Sequence, residues 1–307
     1  MMASLIDAEG KVCASEKIAS EGYNGAKEGV KRMVALCRSL LSEQGVKESN
    51  VEAIGIACPG VVDLEKGILI DAPNLGWRHA PIAKPFRSAF SKAKVSILND
   101  VDAGTYGEYR YGAGKGARTV LGVFPGTGLG GGCIYDGKLI RGKRLSCMEI
   151  GNLRLPSVSL FGSAKEPPRI EEFVSRLGLA SAAAVSAYRG DAPTILNDQG
   201  TDIRKIKSGA IAAAVRAGDP AMLEAFDNFT FYLAISVAGA IDLLAPDRLV
   251  LGGGLVEKMP EEITKSLKRD LERLASPGLT EDLKICVASL GDAAVVAGAA
   301  AYASENS

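Results

Sequence analysis

The residues best suited to chemistry are an Asn-Asp pair, Asn99 and Asp100, that follows the apolar run Val95 to Leu98. Such a run predicts a buried strand, and in α/β sheets ligands are met at the carboxyl ends of strands, where a carboxylate can act as a general base. Asp100 or Asp102 could instead cap the helix that we predict from Ala103 onwards. Because Asp102 lies nearer to that helix, we assign it the cap and leave Asp100 for chemistry.

A second candidate is the glycine-rich segment Pro125 to Gly132, which lies between two apolar runs. Glycine has no Cβ, so successive backbone N–H groups can point at a phosphate. A dinucleotide-binding loop would need a helix directly after the glycines. Here Cys133 to Tyr135 continue as a strand, and Asp136-Gly137 predict a hairpin turn. The segment therefore predicts a phosphate-facing hairpin; the alternative is a glycine-rich turn with no ligand.

Two glutamates and a second glycine run complete the candidates. Glu149 lies beside the flexible Gly151, and Glu171 lies in the first turn of a helix predicted over Ile170 to Ala187. A carboxylate in that turn also suits the helix dipole, which is a competing use of Glu171. The buried strand Arg248 to Leu251 runs into Gly252-Gly253-Gly254. A strand that runs into three glycines, with a helix after a loop, is a second place where the backbone can approach a ligand.

Composition narrows the class of protein. At 307 residues, two domains with a ligand cleft between them are the better expectation. Lys+Arg and Asp+Glu both number 36 and no long basic run occurs, so nucleic acid is disfavoured as a partner. Six scattered cysteines and one histidine do not supply the close pairs of a zinc site, so we expect no protein-bound metal.

The distribution of charge and apolar residues predicts the compartment. Charged residues occur from Asp7 onwards, so no signal-peptide apolar region is expected, and the apolar stretch Phe229 to Ile241 is too short for a bilayer. We expect a cytoplasmic protein without a membrane span and with reduced cysteines. Strands and helices alternate along the chain, which indicates an α/β fold.

Taken in order, these segments resemble the ROK family, the repressor, open reading frame and kinase group of actin-like sugar kinases. The similar segments are Ile54–Asp63, Ala72–Trp77, Leu98–Asp100, Pro125–Gly132, Glu149–Gly151 and Leu249–Gly254. The resemblance runs from Ala3 to Ala303. It implies a two-domain actin-like ATPase fold, which is ribonuclease H-like, with a cleft between the domains. Residues 1–112 would form the small N-terminal domain, with the C-terminal helix 292–307 packing back on it, and residues 113–291 the large domain.

The resemblance also implies a reaction and its residues. It implies ATP-dependent phosphorylation of a hexose, glucose being the best guess, with Mg²⁺ bridging the phosphates and Asp100 as general base. Groups that contact the sugar would be Asn74, Asn99, Asp100, Glu149, Asn152 and Glu171. Groups that contact ATP would be Gly126, Thr127 and Gly128 at the phosphates and Gly252, Gly253 and Gly254 at the adenosine. We expect a homodimer.

Alternatives to glucose phosphorylation remain within the same family. One is a kinase for fructose, mannose or an N-acetylhexosamine. Another is a non-catalytic sugar-binding protein, either a sensor or a degenerate kinase. A repressor is disfavoured because we see no helix-turn-helix before Ala3.

The sequence departs from the family pattern in three places. The strand and first phosphate loop, Asp-x-Gly-Gly-Thr-Lys, are missing ahead of Met1. The family's Glu-x-Gly-His ends here in Asn152, and its cysteine-rich zinc loop is replaced by Leu160 to Arg169, without cysteine. The last two departures agree with each other and predict a zinc-free branch. The first leads us to expect that the true beginning lies upstream of Met1, and that the chain as written is poorly stable and nearly inactive.

Overall fold

The structure is a computed structural model that describes residues 1–155 and 167–306. The chain divides into two compact units. The first unit is Met1–Ala117, Gly132–Cys147 and Ser289–Ser307; the second is Arg118–Gly131 and Met148–Ala288. The sequence prediction kept residues 113–291 together, whereas Gly132–Cys147 belongs to the first unit. The limits of the domains themselves stay a prediction.

The described strands of the first unit form small separate sheets. The strands that precede its central helix are β1 (Met2–Ile6), β2 (Val12–Lys17), β3 (Ala53–Cys58), β4 (Val61–Asp63), β5 (Ile68–Ala72), β6 (Trp77–Pro81) and β7 (Lys94–Asn99). Strands β1 and β2 pair antiparallel, β3 and β7 pair parallel, and β4, β5 and β6 form an antiparallel sheet. The parallel pair matters most for function, because β7 leads directly into Asp100.

Helices cover these sheets. They are α1 (Ala26–Glu43), α2 (Ala83–Ala89) and α3 (Asp100–Tyr111), with a last helix, Ala293–Asn306, from the far end of the sequence. That last helix approaches α3 through glycines, since a Cβ at Gly107 or at Gly298 would collide with the backbone of the other helix. Glycine at these positions lets the two backbones touch. The last helix therefore supports the helix that carries Asp100.

A buried glutamate fixes the end of α3. Glu108 is fully buried, and its carboxylate accepts hydrogen bonds from the backbone N–H groups of Ala113, Ser289 and Leu290 at 2.8 to 2.9 Å. A buried charge requires such partners. Glu108 thus ties α3 to the segment that leads into the last helix.

The second unit is built on parallel strands. The remaining strands of the chain are β8 (Val120–Pro125), β9 (Leu129–Tyr135), β10 (Lys138–Leu139), β11 (Arg248–Leu251) and β12 (Lys284–Val287). Strand β11 pairs parallel with both β8 and β12. Strand β9 begins in the second unit and ends in the first, where it pairs antiparallel with β10. The turn between β9 and β10 has positive φ at Asp136 and Gly137, as the sequence predicts for a primed hairpin.

Helices pack around the sheet of the second unit. They are α4 (Arg176–Arg189), α5 (Pro193–Gln199), α6 (Ser208–Ala217), α7 (Pro220–Leu244), α8 (Gly254–Lys258) and α9 (Pro260–Leu274), so the last helix of the chain is α10. Pro220 and Pro260 stand at the first positions of α7 and α9, where the missing N–H is harmless. By length and composition α7 could cross a membrane, but half of its apolar window is buried inside the protein. That burial gives its apolar character a structural reason.

Two predicted helix starts are wrong. The helix predicted from Ala103 begins at Asp100. The helix predicted from Ile170 begins at Arg176, after a short 3₁₀ helix over Ile170–Glu172. The cause at the second site is Ser175, whose side chain accepts the N–H of Gly178 at 3.0 Å and caps α4. Glu171 therefore lies outside the first turn of α4, and its predicted use at that helix dipole is wrong.

Candidate active site

The helix that carries Asp100 is capped by its neighbour. Asn99 Oδ1 accepts the backbone N–H of Val101 at 2.8 Å and of Asp102 at 3.4 Å, which makes Asn99 the N-cap. The assignment of the cap to Asp102 is wrong, because helical backbone begins two residues earlier. The Asn99 amide also donates to Gly60 O at 3.0 Å, which ties the end of β7 to the Cys58-Pro59-Gly60 turn. Its predicted role in sugar binding stays a prediction.

Asp100 follows β7 directly and is the first residue of α3, three residues before the predicted helix start. Burial raises the pKa of Asp100, and a hydrogen bond from its neighbour's backbone N–H, 3.1 Å from Oδ1, opposes the rise. The end of β3 lies alongside, since Cys58 is the register partner of Asn99. Burial and the Asp100 charge together raise the pKa of Cys58 to about 12, so this thiol stays protonated. A carboxylate with a raised pKa at a strand end is suited to accept a proton.

Asn74 lies elsewhere in the first unit. It is exposed in the turn between β5 and β6, where Leu75 N donates to Ala72 O at 3.0 Å and Gly76 N to Pro73 O at 3.2 Å. No hydrogen bond among the described residues joins it to Asn99 or Asp100. The structure thus places Asn74 at a turn and leaves its role in sugar binding as a prediction.

In the second unit, the predicted phosphate loop is shorter than the sequence suggested. Gly126 N donates to Gly128 O at 2.8 Å, and β9 begins at Leu129. The prediction of a loop through Gly132 is therefore wrong, since the last three glycines lie in a strand. The turn is held from the other side, because the Gly126 carbonyl accepts the Arg176 N–H at 2.8 Å where α4 begins. Thr127 is exposed at its tip.

The two predicted nucleotide segments are neighbours in the second unit. Gly252 follows β11, and its N–H donates to Val123 O at 3.1 Å. Gly253 has φ +89°, and a Cβ there would lie 2.9 Å from the carbonyl oxygen of Pro125 and 3.7 Å from Gly126 N. Helix α8 begins at Gly254. The two glycine segments therefore approach each other backbone to backbone.

Glu171 lies against the phosphate turn. Its Oε2 is 2.7 Å from the position that a Cβ of Gly128 would occupy, and its Oε1 is 3.6 Å from the Arg169 guanidinium. A predicted sugar carboxylate and the predicted phosphate turn therefore adjoin. Sequence reasoning missed Arg169, because its short spacing from Glu171 in an irregular segment carries no pattern.

Glu149 and Asn152 form a second polar pair in the same unit. The Asn152 amide donates to Glu149 Oε2 at 3.2 Å, and both side chains are exposed. Asn152 thus orients the carboxylate that the sequence singled out. Glu149 and Asn152 are brought together by the 3₁₀ turn over Ile150–Asn152.

In residues 1–155 and 167–306 no group of three or more His, Cys, Asp or Glu side chains is placed to hold a metal ion. Most of the segment that replaces the family's zinc loop, Leu160 to Arg169, lies outside the described residues.

Comparison with known proteins defines the class. The chain matches a ROK family glucokinase of Streptomyces griseus, solved with glucose and AMPPNP, with a TM-score of 0.79 and 29% identity over 98% of this chain and 94% of that one. The fold is therefore the actin-like ATPase fold of the ROK glucokinases.

The sequence comparisons agree. The model of the ROK family matches residues 1–306, so the chain belongs to the ROK family. A glucokinase of Halalkalibacterium halodurans is 28% identical over 84% of this chain and 78% of its own length. A glucokinase of Streptomyces coelicolor is also 28% identical, over 99% of this chain and 94% of its own length.

Proposed function

We propose that this protein is an ATP-dependent hexose kinase, with glucose as the best candidate substrate and Asp100 as the general base. The observation that carries the proposal is the carboxylate of Asp100. It directly follows the parallel strand β7, and burial raises its pKa. Relatives named as glucokinases support a sugar kinase. They do not fix the sugar, since other relatives are named as kinases of other sugars or as a repressor.

The proposed chemistry needs one proton acceptor. Asp100 accepts the proton of the sugar 6-hydroxyl while that oxygen forms a bond to the γ-phosphorus of ATP. The bond between the γ-phosphorus and the bridging oxygen breaks, and ADP leaves with the electron pair. Phosphoryl transfer depends mainly on positioning and on stabilisation of charge, so the base contributes on the order of 10²- to 10⁴-fold of the rate.

By the family resemblance, the sugar hydroxyls are assigned to five polar groups, which are Asn74, Asn99, Glu149, Asn152 and Glu171. Glu149 and Asn152 form a hydrogen-bonded pair of a carboxylate and an amide, and these two kinds of group suit a vicinal diol. Carboxylate and amide groups of this kind recognise hydroxyls, and they do not by themselves select one hexose.

ATP is assigned to the two adjoining glycine segments of the second unit. Gly126, Thr127 and Gly128 would contact its phosphates, and Gly252, Gly253 and Gly254 its adenosine. The backbone contact of Gly253 with the carbonyl of Pro125 supports a single nucleotide site built from both. Mg²⁺, bound together with ATP, would neutralise the charge of the phosphates.

A coupled assay tests the proposal directly. The full-length protein, including any coding sequence upstream of Met1, is supplied with ATP, Mg²⁺ and, separately, glucose, fructose, mannose, N-acetylmannosamine and N-acetylglucosamine, and ADP formation is followed. We expect turnover with glucose to exceed that with the other sugars. Absence of turnover with every sugar, from a protein that calorimetry shows to be folded, would refute a kinase.

The second candidate is a sugar-binding protein without kinase activity. It is supported by the exposed Glu149–Asn152 pair, which would contact a sugar without needing a nucleotide. Titration calorimetry discriminates the two: sugar binding without ATP binding would favour the sensor. The homodimer and the cytoplasmic location belong to the same proposal, and size-exclusion chromatography with light scattering tests the dimer.

A further inference from the structure

The backbone that carries Glu149 has an unusual conformation. Met148, immediately before it, has φ +62°, in the left-handed region that side chains other than glycine rarely adopt. Glu149 itself has φ −73° and ψ 57°, and the Ile150 N–H donates to Met148 O at 2.7 Å. Glu149 is thus the central residue of an inverse γ-turn. A left-handed residue of this kind is strained and persists only where its surroundings enforce it.

Gly131 in β9 packs directly against this turn. A Cβ at Gly131 would lie 2.5 Å from Met148 O, and 3.0 and 3.1 Å from side-chain carbons of Ile150. The first of these atoms is the carbonyl oxygen that closes the γ-turn. It is backbone, so it cannot swing aside as the end of a long side chain would. A side chain at Gly131 must therefore displace the turn that sets the direction of Glu149.

The structural reason for a glycine at position 131 differs from the reason for glycines in the phosphate turn. That turn closes between Gly126 and Gly128, and Gly131 lies three residues further on, inside β9. A Cβ at Gly126 would meet no atom within 4 Å. One glycine-rich run therefore contains two kinds of glycine, one open to a ligand and one pressed against the backbone beside Glu149.

We propose that Gly131 and Met148 are positioning residues for Glu149, so that this part of the glycine run determines affinity for the sugar and not for the nucleotide. The inference rests on the proposed function, in which Glu149 contacts the sugar. Strand β9 sets the carboxylate through the carbonyl of Met148, and the amide of Asn152 then orients its oxygens.

The first test compares two glycine-to-alanine variants of the full chain. Gly131→Ala should raise the KM for sugar about tenfold or more and leave the KM for ATP within about twofold, because a displacement of about 1 Å in a positioning group has large effects. Gly126→Ala should show the reverse pattern. Titration of each variant with sugar alone, by calorimetry, should give the same ranking without any turnover.

The second test separates conformation from packing at Met148, whose side chain also packs against the core of the second unit. Met148→Gly suits a positive φ and loses the packing, whereas Met148→Val keeps apolar volume and opposes a positive φ. We expect the glycine variant to stay within about threefold of the wild-type KM for sugar and the valine variant to exceed tenfold. A role in packing alone predicts the opposite order.

The outcomes distinguish this inference from the proposed function. A folded Gly131→Ala protein with an unchanged KM for sugar, or a glycine variant of Met148 worse than the valine variant, would overturn the inference. Absence of turnover by the wild type would instead refute the kinase, and sugar calorimetry would still rank the variants. If Gly131→Ala does not fold, the Met148 pair decides.

Discussion

Replacing Asp100 by asparagine removes the proposed general base and keeps the size of the side chain. An amide can still accept the backbone N–H that lies 3.1 Å from Oδ1 in the wild type, so α3 should begin at the same residue. Loss of a general base lowers the rate on the order of 10²- to 10⁴-fold, equivalent to about 3–5 kcal/mol in the barrier. We expect kcat for Asp100→Asn to fall by that factor, while calorimetry finds sugar affinity within about tenfold.

The pH profile of the wild type reports on the same carboxyl. Burial raises the pKa of Asp100 above its usual value of 3.8, and the backbone hydrogen bond from Val101 only partly opposes this. A base works when deprotonated, so kcat/KM should fall as the pH drops through the raised pKa, at a higher pH than an ordinary aspartate would give. In Asp100→Asn this acid limb should vanish from the remaining turnover.

Asp100→Asn should lower the rate but not the stability of the folded protein. A carboxyl whose pKa is raised in the folded state binds its proton more tightly there, so its contribution to stability is lost as the pH rises through that pKa. At pH 7 the wild type carries the full cost of the buried charge, and the neutral asparagine removes it. We therefore expect Asp100→Asn to unfold at the same or a higher temperature in scanning calorimetry.

Asp202→Asn is the control for Asp100→Asn. Hydrogen bonds from Arg204 lower the pKa of Asp202 to about 2, so Asp202 titrates at a lower pH than the acid limb of the rate profile. This variant should keep both the rate and the pH profile of the wild type. Near wild-type turnover by Asp100→Asn, or an acid limb that survives the change, would show that another group is the base.

Three further predictions concern packing and loop geometry. Gly298→Ala should lower the unfolding temperature by about 2–10 °C, because its methyl group would meet the backbone of Ala103. The control is Gly239→Ala in α7, where a Cβ meets nothing within 4 Å and the unfolding temperature should not fall. Equal unfolding temperatures of the two variants in calorimetry would contradict the prediction. Glu108→Ala should lower the unfolding temperature by a similar amount, because three backbone N–H groups lose their acceptor. Gly253→Ala should raise the KM for ATP at least about fivefold in initial-rate assays, since its φ of +89° disfavours a Cβ, and an unchanged value would argue against an adenosine site there.

The sequence predicted regular helices well where local signals were strong. Helices α7 and α9 each begin at a proline, which suits the first helical position, so the sequence marks where both begin. Signals were ambiguous where several polar residues could serve as a cap. Asn99, Asp100 and Asp102 all can, and the choice of Asn99 depends on the partner that its amide finds in Gly60, a contact made across the fold.

The candidate site was predictable as a set of residues and not as an arrangement. The glycine run was identified, but the strand character of Gly131 and Gly132 was not, because it follows from neighbours distant in sequence. A Cβ at Gly132 would collide with Thr105, and one at Gly131 with the backbone of Met148. The contact of Glu171 with Gly128 likewise depends on a short 3₁₀ helix that no periodicity indicates.

The dependence of the first unit on α10 bears on how the chain matures during translation. The unit that carries Asp100 uses Met1–Ala117 and also Ala293–Asn306, so it cannot be complete until the last helix has been synthesised. At about 5–20 residues per second, roughly 10–35 s separate the two. All residues of the second unit are synthesised by Ala288, before that helix. During this interval Gly107 of α3 lacks the helix that its backbone touches in the folded protein, so the helix that carries Asp100 is the last part of the fold to gain its support.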